Sequence, residues 1–217
     1  MNYASVVRVL AFLLLIVVVA TIPSVFMAIA AGEASQTFAF GAMILCIIVV
    51  SSSVLLLTPK PTRKARPSDA LATVILWWFI TPVATSLPFI LGVDNESVLS
   101  AIHEATACLT TTGQSVIAVQ NNDWPISLVV WRGMLHLLGG LATITAAASV
   151  LAALNLGGPG IHRTVLFTVP ETSFFDAVPR VARVVSMLMA ISILVLFAAL
   201  VFMGVPAGRA LGDSVSA

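Results

Sequence analysis

The chain has 217 residues, of which 59% are hydrophobic and 9% charged, against roughly 25% charged in an ordinary soluble domain. With a mean hydropathy of +1.10 and apolar runs near the ~20 residues that cross ~30 Å of hydrocarbon, this excludes a soluble globular protein. It predicts an all-α polytopic membrane protein with no separate soluble catalytic domain. Ten Lys and Arg against nine Asp and Glu leave a net charge of +1, so the placement of charge is informative rather than its total, and no nucleic-acid partner is implied.

Residues 9–31 follow Arg8, carry one internal Pro23 and end at the polar stretch 32–37, and they form the first predicted span. Ala28-Ile29-Ala30 resembles a signal-peptide cleavage site, but the apolar stretch exceeds the roughly 7–15 residues of a signal h-region, which favours an uncleaved anchor. Residues 38–57 are the second span. The segment 58–69 holds four of the ten basic residues and three prolines, so it is a basic loop. Residues 70–91 make the third span, with Ser68-Asp69 as its N-cap and Pro82 and Pro88 bending its far end.

Residues 98–125 are too polar to span, yet 98–109 are too apolar for a plain surface loop. Residues 126–156 are the fourth span, with Arg132 and His136 near its start and Gly139-Gly140 in its middle. A loop over 157–180 carries glycines, prolines and both signs of charge, and 181–203 is the fifth span. With the N-terminus cytoplasmic, Arg8, Lys60, Arg63, Lys64, Arg66, Arg163, Arg180 and Arg183 fall inside and only Arg132 and Arg209 outside, 8 against 2. Such a bias sets orientation, and it puts 98–125 on the external side.

A span, a short amphipathic helix, a Thr/Gly-rich turn and a second span make a hairpin from which ion-selective pores are built. Non-helical backbone is tolerated at membrane depth only where it is buried in protein or lines water. Carbonyls of Thr110, Thr111, Thr112 and Gly113 can replace the hydration shell of a cation, with Gly113 supplying a positive φ. Residues 98–109 would then be a re-entrant helix capped by Ser97, its negative C-terminal end aimed at the ion. The competing reading of Thr-Thr-Thr-Gly is a polar surface turn.

The stretch His103-Glu104-Ala105-Thr106-Ala107-Cys108-Leu109-Thr110-Thr111-Thr112-Gly113-Gln114-Ser115 resembles the first pore loop of the Trk/Ktr/HKT potassium transporters, whose form is close to Phe-Glu-Ala-Thr-Ser-Gly-Phe-Thr-Thr-Thr-Gly-Ala-Thr. Trp131-Arg132 followed by Leu138-Gly139-Gly140-Leu141 is similar to that family's Trp-Arg and Leu-Gly-Gly-Met in the next helix. In the family, two leading helices precede four helix–pore loop–helix repeats around one ion path. The resemblance therefore implies two leading helices over 1–57, a basic cytoplasmic loop over 58–69 and one repeat over 70–156. A cytoplasmic loop over 157–180 and the opening helix of an incomplete second repeat over 181–217 would follow.

The implied function is potassium transport across the plasma (inner) membrane as part of a Trk-type uptake system. Thr110, Thr111, Thr112 and Gly113 would supply one filter segment, and potassium would be a substrate rather than a cofactor. The resemblance ends where the second pore helix should begin, so another chain or further copies are expected to complete the pore, with membrane lipid and a cytoplasmic regulatory subunit as other partners. The alternative is a truncated, non-conducting accessory subunit that stabilises a larger membrane complex. Cys108, His103 and Gln114 depart from the family's usual Gly, aromatic and small residue.

Glu104 is costly in a membrane unless paired or hydrated; it lies six residues before Thr110, which favours bracing the filter over touching the ion. Arg132 either pairs with Glu104, Asp123 or Asp94 or snorkels to the outer headgroups. His136 reads as a packing histidine, and Gly139 and Gly140 as points of close helix approach. Ser51-Ser52-Ser53 are expected to back-bond to helix carbonyls. Cys46 and Cys108 read as small packing residues with no metal spacing. Histidines at 103, 136 and 162 assemble no nucleophile, acid–base pair or metal cluster, so no enzyme and no cofactor are expected.

Overall fold

A computed structural model of the chain describes residues 3–59, 67–93, 96–117, 124–153, 174–205 and 214. Most of the basic loop, the segment 154–173, nearly all of 206–217, and Asp94 and Asp123 lie outside the described residues. Among the described residues, seven helices run in order: α1 (Tyr3–Ala30), α2 (Ala34–Leu57), α3 (Pro67–Thr85), α4 (Leu87–Gly92), α5 (Val98–Leu109), α6 (Ile126–Ala153) and α7 (Phe174–Phe202). Five stretches of the described residues are long and apolar enough to cross a membrane, with α3 and α4 sharing the third as Leu71–Gly92. The helices are apolar around most of their circumference, because in lipid the backbone must satisfy its own polar groups while the side chains face hydrocarbon.

The helix ends extend several predicted boundaries. α1 starts at Tyr3 rather than 9, and Arg8 Nη1 donates to Leu55 O at 2.8 Å and Thr58 O at 2.7 Å. The guanidinium thus satisfies carbonyls at the negative end of α2. Ser68 and Asp69 lie inside the first turn of α3 rather than capping it, since Pro67 leads the helix with the φ that its ring imposes. α7 starts at Phe174, inside the predicted 157–180 loop; the apolar residues Phe174, Phe175, Ala177 and Val178 extend the helical segment across a stretch that proline and charge marked as loop.

Span three breaks beside Pro88, whereas Pro82 lies inside the unbroken α3. Pro88 has no N–H to give, and Phe89 N and Ile90 N both turn to Ser86 O, at 2.9 and 3.1 Å. The carbonyl of Thr85, freed by the break, accepts from Trp131 Nε1 of α6 at 3.3 Å. Trp131 is fully buried and meets Phe40 of α2 edge to face, with centroids 5.9 Å apart, so one indole supplies both core volume and the missing donor. Around it Phe89, Leu109, Leu128, Leu135 and Met43 form the core. At the same end, Gln36 Nε2 donates to Gly92 O at 2.5 Å, tying α2 to α4.

Two smaller expectations are corrected. Cys46 is exposed on α2, while Cys108 is buried, so only Cys108 packs in the core. The hydroxyl of Ser51 is buried without a hydrogen-bond partner among the described residues and does not back-bond.

Candidate functional site: the end of α5 against α6

α5 has 12 residues and is therefore about 18 Å long, too short to cross a bilayer. Ser97 caps it as expected, its Oγ accepting from Ser100 N at 3.0 Å. Ala101, Glu104, Ala105 and Cys108 are buried at helical spacing, and this face packs the helix among α3, α4 and α6.

The C-terminal end of α5 is a Schellman turn. Thr111 N bonds to Cys108 O at 3.0 Å and Thr112 N to Ala107 O at 2.9 Å, with Thr111 in the left-handed region at φ 57. Gly113 N adds a second bond to Ala107 O at 3.1 Å, and Gly113 has φ 69, as its role in the turn requires. Among the described residues, no hydrogen bond ends on the carbonyls of Thr110, Thr111, Thr112 or Gly113, and residues 110–116 are all exposed. The turn thus satisfies the carbonyls of the helix behind it and leaves its own free to accept.

Gly139 fixes the depth of this turn. A Cβ at that position would overlap the backbone carbonyl of Leu109, so only glycine lets α5 end against α6 there. Gly139 lies 13 residues into α6, a helix of 28 residues, which puts the contact about 20 Å along a helix of about 42 Å. The end of α5 therefore sits near the middle of a span-length helix. A Cβ on Gly113 would lie 3.7 Å from His136 Nε2, so the His136 ring backs the turn while its Nδ1 is buried without a partner among the described residues.

Glu104 is fully buried, and two structural elements converge on it. Arg132 Nη1 of α6 lies 2.9 Å from Oε1 as an ion pair whose N–H direction misses hydrogen-bond geometry. Ser115 Oγ, on the strand of chain leaving the turn, donates to Oε2 at 2.8 Å. The Arg132 guanidinium also stacks 4.8 Å from the Trp124 ring centre, a cation–π contact that steadies it. Of the partners open for Arg132, Glu104 is the one paired with it among the described residues, and Asp94 and Asp123 lie outside them.

Sequence reasoning missed three contacts: Ser115 on Glu104, Trp131 on Thr85, and Glu33. The carboxylate of Glu33, in the turn between α1 and α2, accepts from Ile126 N at 2.7 Å and Ser127 N at 3.3 Å, and also from Ser127 Oγ. One signal was available. The residues before Ile126 are Trp124-Pro125, which offer no side-chain cap, so the amides of α6 need an acceptor from elsewhere.

A family model described as TrkH, cation transport protein, matches residues 34–209. The chain belongs to this family. TrkH-family relatives include the Trk system potassium uptake protein TrkI of Halomonas elongata, 28% identical over 75% of this chain and 33% of that protein. Another is TrkH of Salmonella typhimurium, 30% identical over 72% of this chain and 32% of that protein. The crystal structure of the potassium transporter TrkH from Vibrio parahaemolyticus superposes with a TM-score of 0.79 at 22% identity, covering 99% of this chain and 42% of that one, so the fold is shared. The chain spans about a third of the length of these curated relatives, 33% and 32%, and it is an integral membrane protein of the TrkH family.

Proposed function

We propose that the chain contributes one filter segment to a potassium-conducting path in a Trk-type uptake system. Residues 70–156 act as one helix–pore loop–helix repeat, in which α5 re-enters the membrane from outside and Thr110, Thr111, Thr112 and Gly113 present carbonyls to the ion. The observation that carries this reading is the mid-span position of the α5 end, set by the Gly139 contact, together with four turn carbonyls left without donors among the described residues. Free carbonyls at that depth are tolerated where water or an ion meets them. Glu104 and Arg132 brace the segment from behind rather than touching the ion, since both carboxylate oxygens already face protein donors. The potassium uptake named for the relatives agrees with this chemistry, as does an N-terminus on the cytoplasmic side, given the 8 to 2 basic bias. Other pore-loop segments complete the ring.

The test is Gly113→Arg, with rubidium uptake measured in potassium-uptake-deficient cells that express the complete system. A guanidinium in the turn, on a residue forced to φ 69, is expected to abolish uptake at normal protein levels. Undiminished uptake with unchanged ion selectivity contradicts the site.

A further inference from the structure

The α1–α2 turn is built to deliver one carboxylate to α6. α1 ends in a Schellman turn: Gly32 has φ 72, Gly32 N bonds to Ile29 O at 3.2 Å, and Glu33 N bonds to Ala28 O at 2.9 Å. Glu33 then opens α2 as its N-cap residue, yet its side chain caps nothing in α2. Thr37 N and Thr37 Oγ1 both bond to the Glu33 carbonyl at 2.9 Å, which fixes the backbone and leaves the carboxylate free to point away.

That carboxylate lies instead at the N-terminus of α6, on Ile126 N, Ser127 N and Ser127 Oγ. Among the described residues, no other side chain caps α6 there. The carbonyl of Pro125 accepts the first helical bonds, from Leu128 N at 2.9 Å and Val129 N at 3.1 Å, so Pro125 is the N-cap residue and has no polar side chain. A carboxylate on the positive end of a helix is both a hydrogen-bond acceptor and a dipole partner. The same helix carries Arg132, which pairs with Glu104, and Gly139, against which α5 ends. Both contacts require one axial position of α6, and a rigid helix transmits the position of its first turn to each.

We propose that Glu33 is a positioning residue for the cation path: by capping α6 from the α1–α2 turn, it sets the register in which Arg132 and Gly139 hold the filter-like turn. This inference rests on the proposed function. It also gives the leading helix pair a part in the ion path beyond membrane anchoring.

The experiment compares the unaltered chain, Glu33→Ala, and Glu33→Ala combined with Pro125→Asp, which puts a cap on α6 itself. Each is measured in the complete system by amide hydrogen exchange at Ile126 and Ser127 and by the rubidium concentration dependence of uptake. Glu33→Ala is expected to speed exchange about fivefold to tenfold, the effect of losing a helix cap, and to raise KM for rubidium more than it lowers the maximal rate. The double variant is expected to restore slow exchange at Ser127, the amide that a cap at position 125 reaches, and to reverse the change in KM. A merely stabilising contact would lower the amount of active protein, and so the maximal rate, with KM unmoved. Unchanged exchange in Glu33→Ala, or faster exchange with KM untouched, overturns the proposal. Absence of rubidium uptake by the unaltered system overturns the function on which it rests, a result that the exchange rates do not influence and that is read separately.

Discussion

Among the described residues, α1, α5 and α7 end in the same left-handed turn, yet the residue bearing the positive φ differs. Gly32 and Gly204 take it for α1 and α7, at φ 72 and 87, whereas Thr111 takes it for α5 at φ 57. A β-branched residue is a true outlier in this region, and the conformation costs roughly 1–2 kcal/mol where a Cβ is present. Such strain persists where the surroundings over-determine it, commonly at functional turns. Thr111→Gly should therefore raise thermal stability by about 0.5–1 kcal/mol after the added chain entropy of glycine is counted, while weakening discrimination of potassium from sodium. A fall in the unfolding midpoint would show that Thr111 is not strained. At this scale the sequence was partly legible. The positive φ of Gly113 and the Ser97 cap follow from residue type, whereas Thr111 looks like an ordinary turn threonine until the bonds from Thr111 N and Thr112 N are seen. The partner of Arg132 was one of several carboxylates by sequence, and it is packing that brings Glu104 to it.

At the scale of elements, glycine and tryptophan decide how helices meet. Gly139 and Gly140 are adjacent and alike in sequence, but they face different neighbours. A Cβ at Gly139 would overlap the backbone of Leu109, whereas one at Gly140 would lie 3.2 Å from Met189 Cε, the end of a flexible side chain. Backbone cannot yield as a methionine can. Gly139→Ala is expected to destabilise by about 2–3 kcal/mol and Gly140→Ala by less than about 1 kcal/mol, read from unfolding midpoints in detergent. Equal effects would mean that α5 does not end against α6 as described. The spans themselves were legible because lipid demands long apolar helices, and the break in span three was legible from Pro88. What closes that break, Trp131 on Thr85 O, was not, because the donor lies 46 positions away in the chain. Glu33 was illegible for the same reason, its contacts spanning 93 and 94 positions.

Over the whole molecule, the helices bury a compact centre and leave large apolar surfaces for lipid and for neighbouring protein. Phe12, Phe26, Phe79, Leu188 and Leu194 are all exposed, and the described part of α7 is far less buried than span three. Residues 110–116 are exposed on the same molecule, so the turn meets whatever fills the adjoining space. The chain spans about a third of the length of the TrkH-family relatives it matches, 33% and 32%, and under the proposed function it is one sector of a larger ring. The all-helical, five-span architecture was legible at this scale from hydropathy; the inter-helix caps that hold the helices together were not, since each joins residues remote in sequence.

The most direct measurement is the rate at which a small cationic thiol reagent modifies Thr112→Cys in the complete system. It is made in a Cys46→Ala background, because Cys46 is exposed and Cys108 is buried. If potassium occupies the turn, modification should slow as potassium replaces sodium at constant ionic strength. An identical rate in the two salts would mean that the ion does not meet Thr110–Gly113, and the account of this chain as a filter-bearing segment would be wrong.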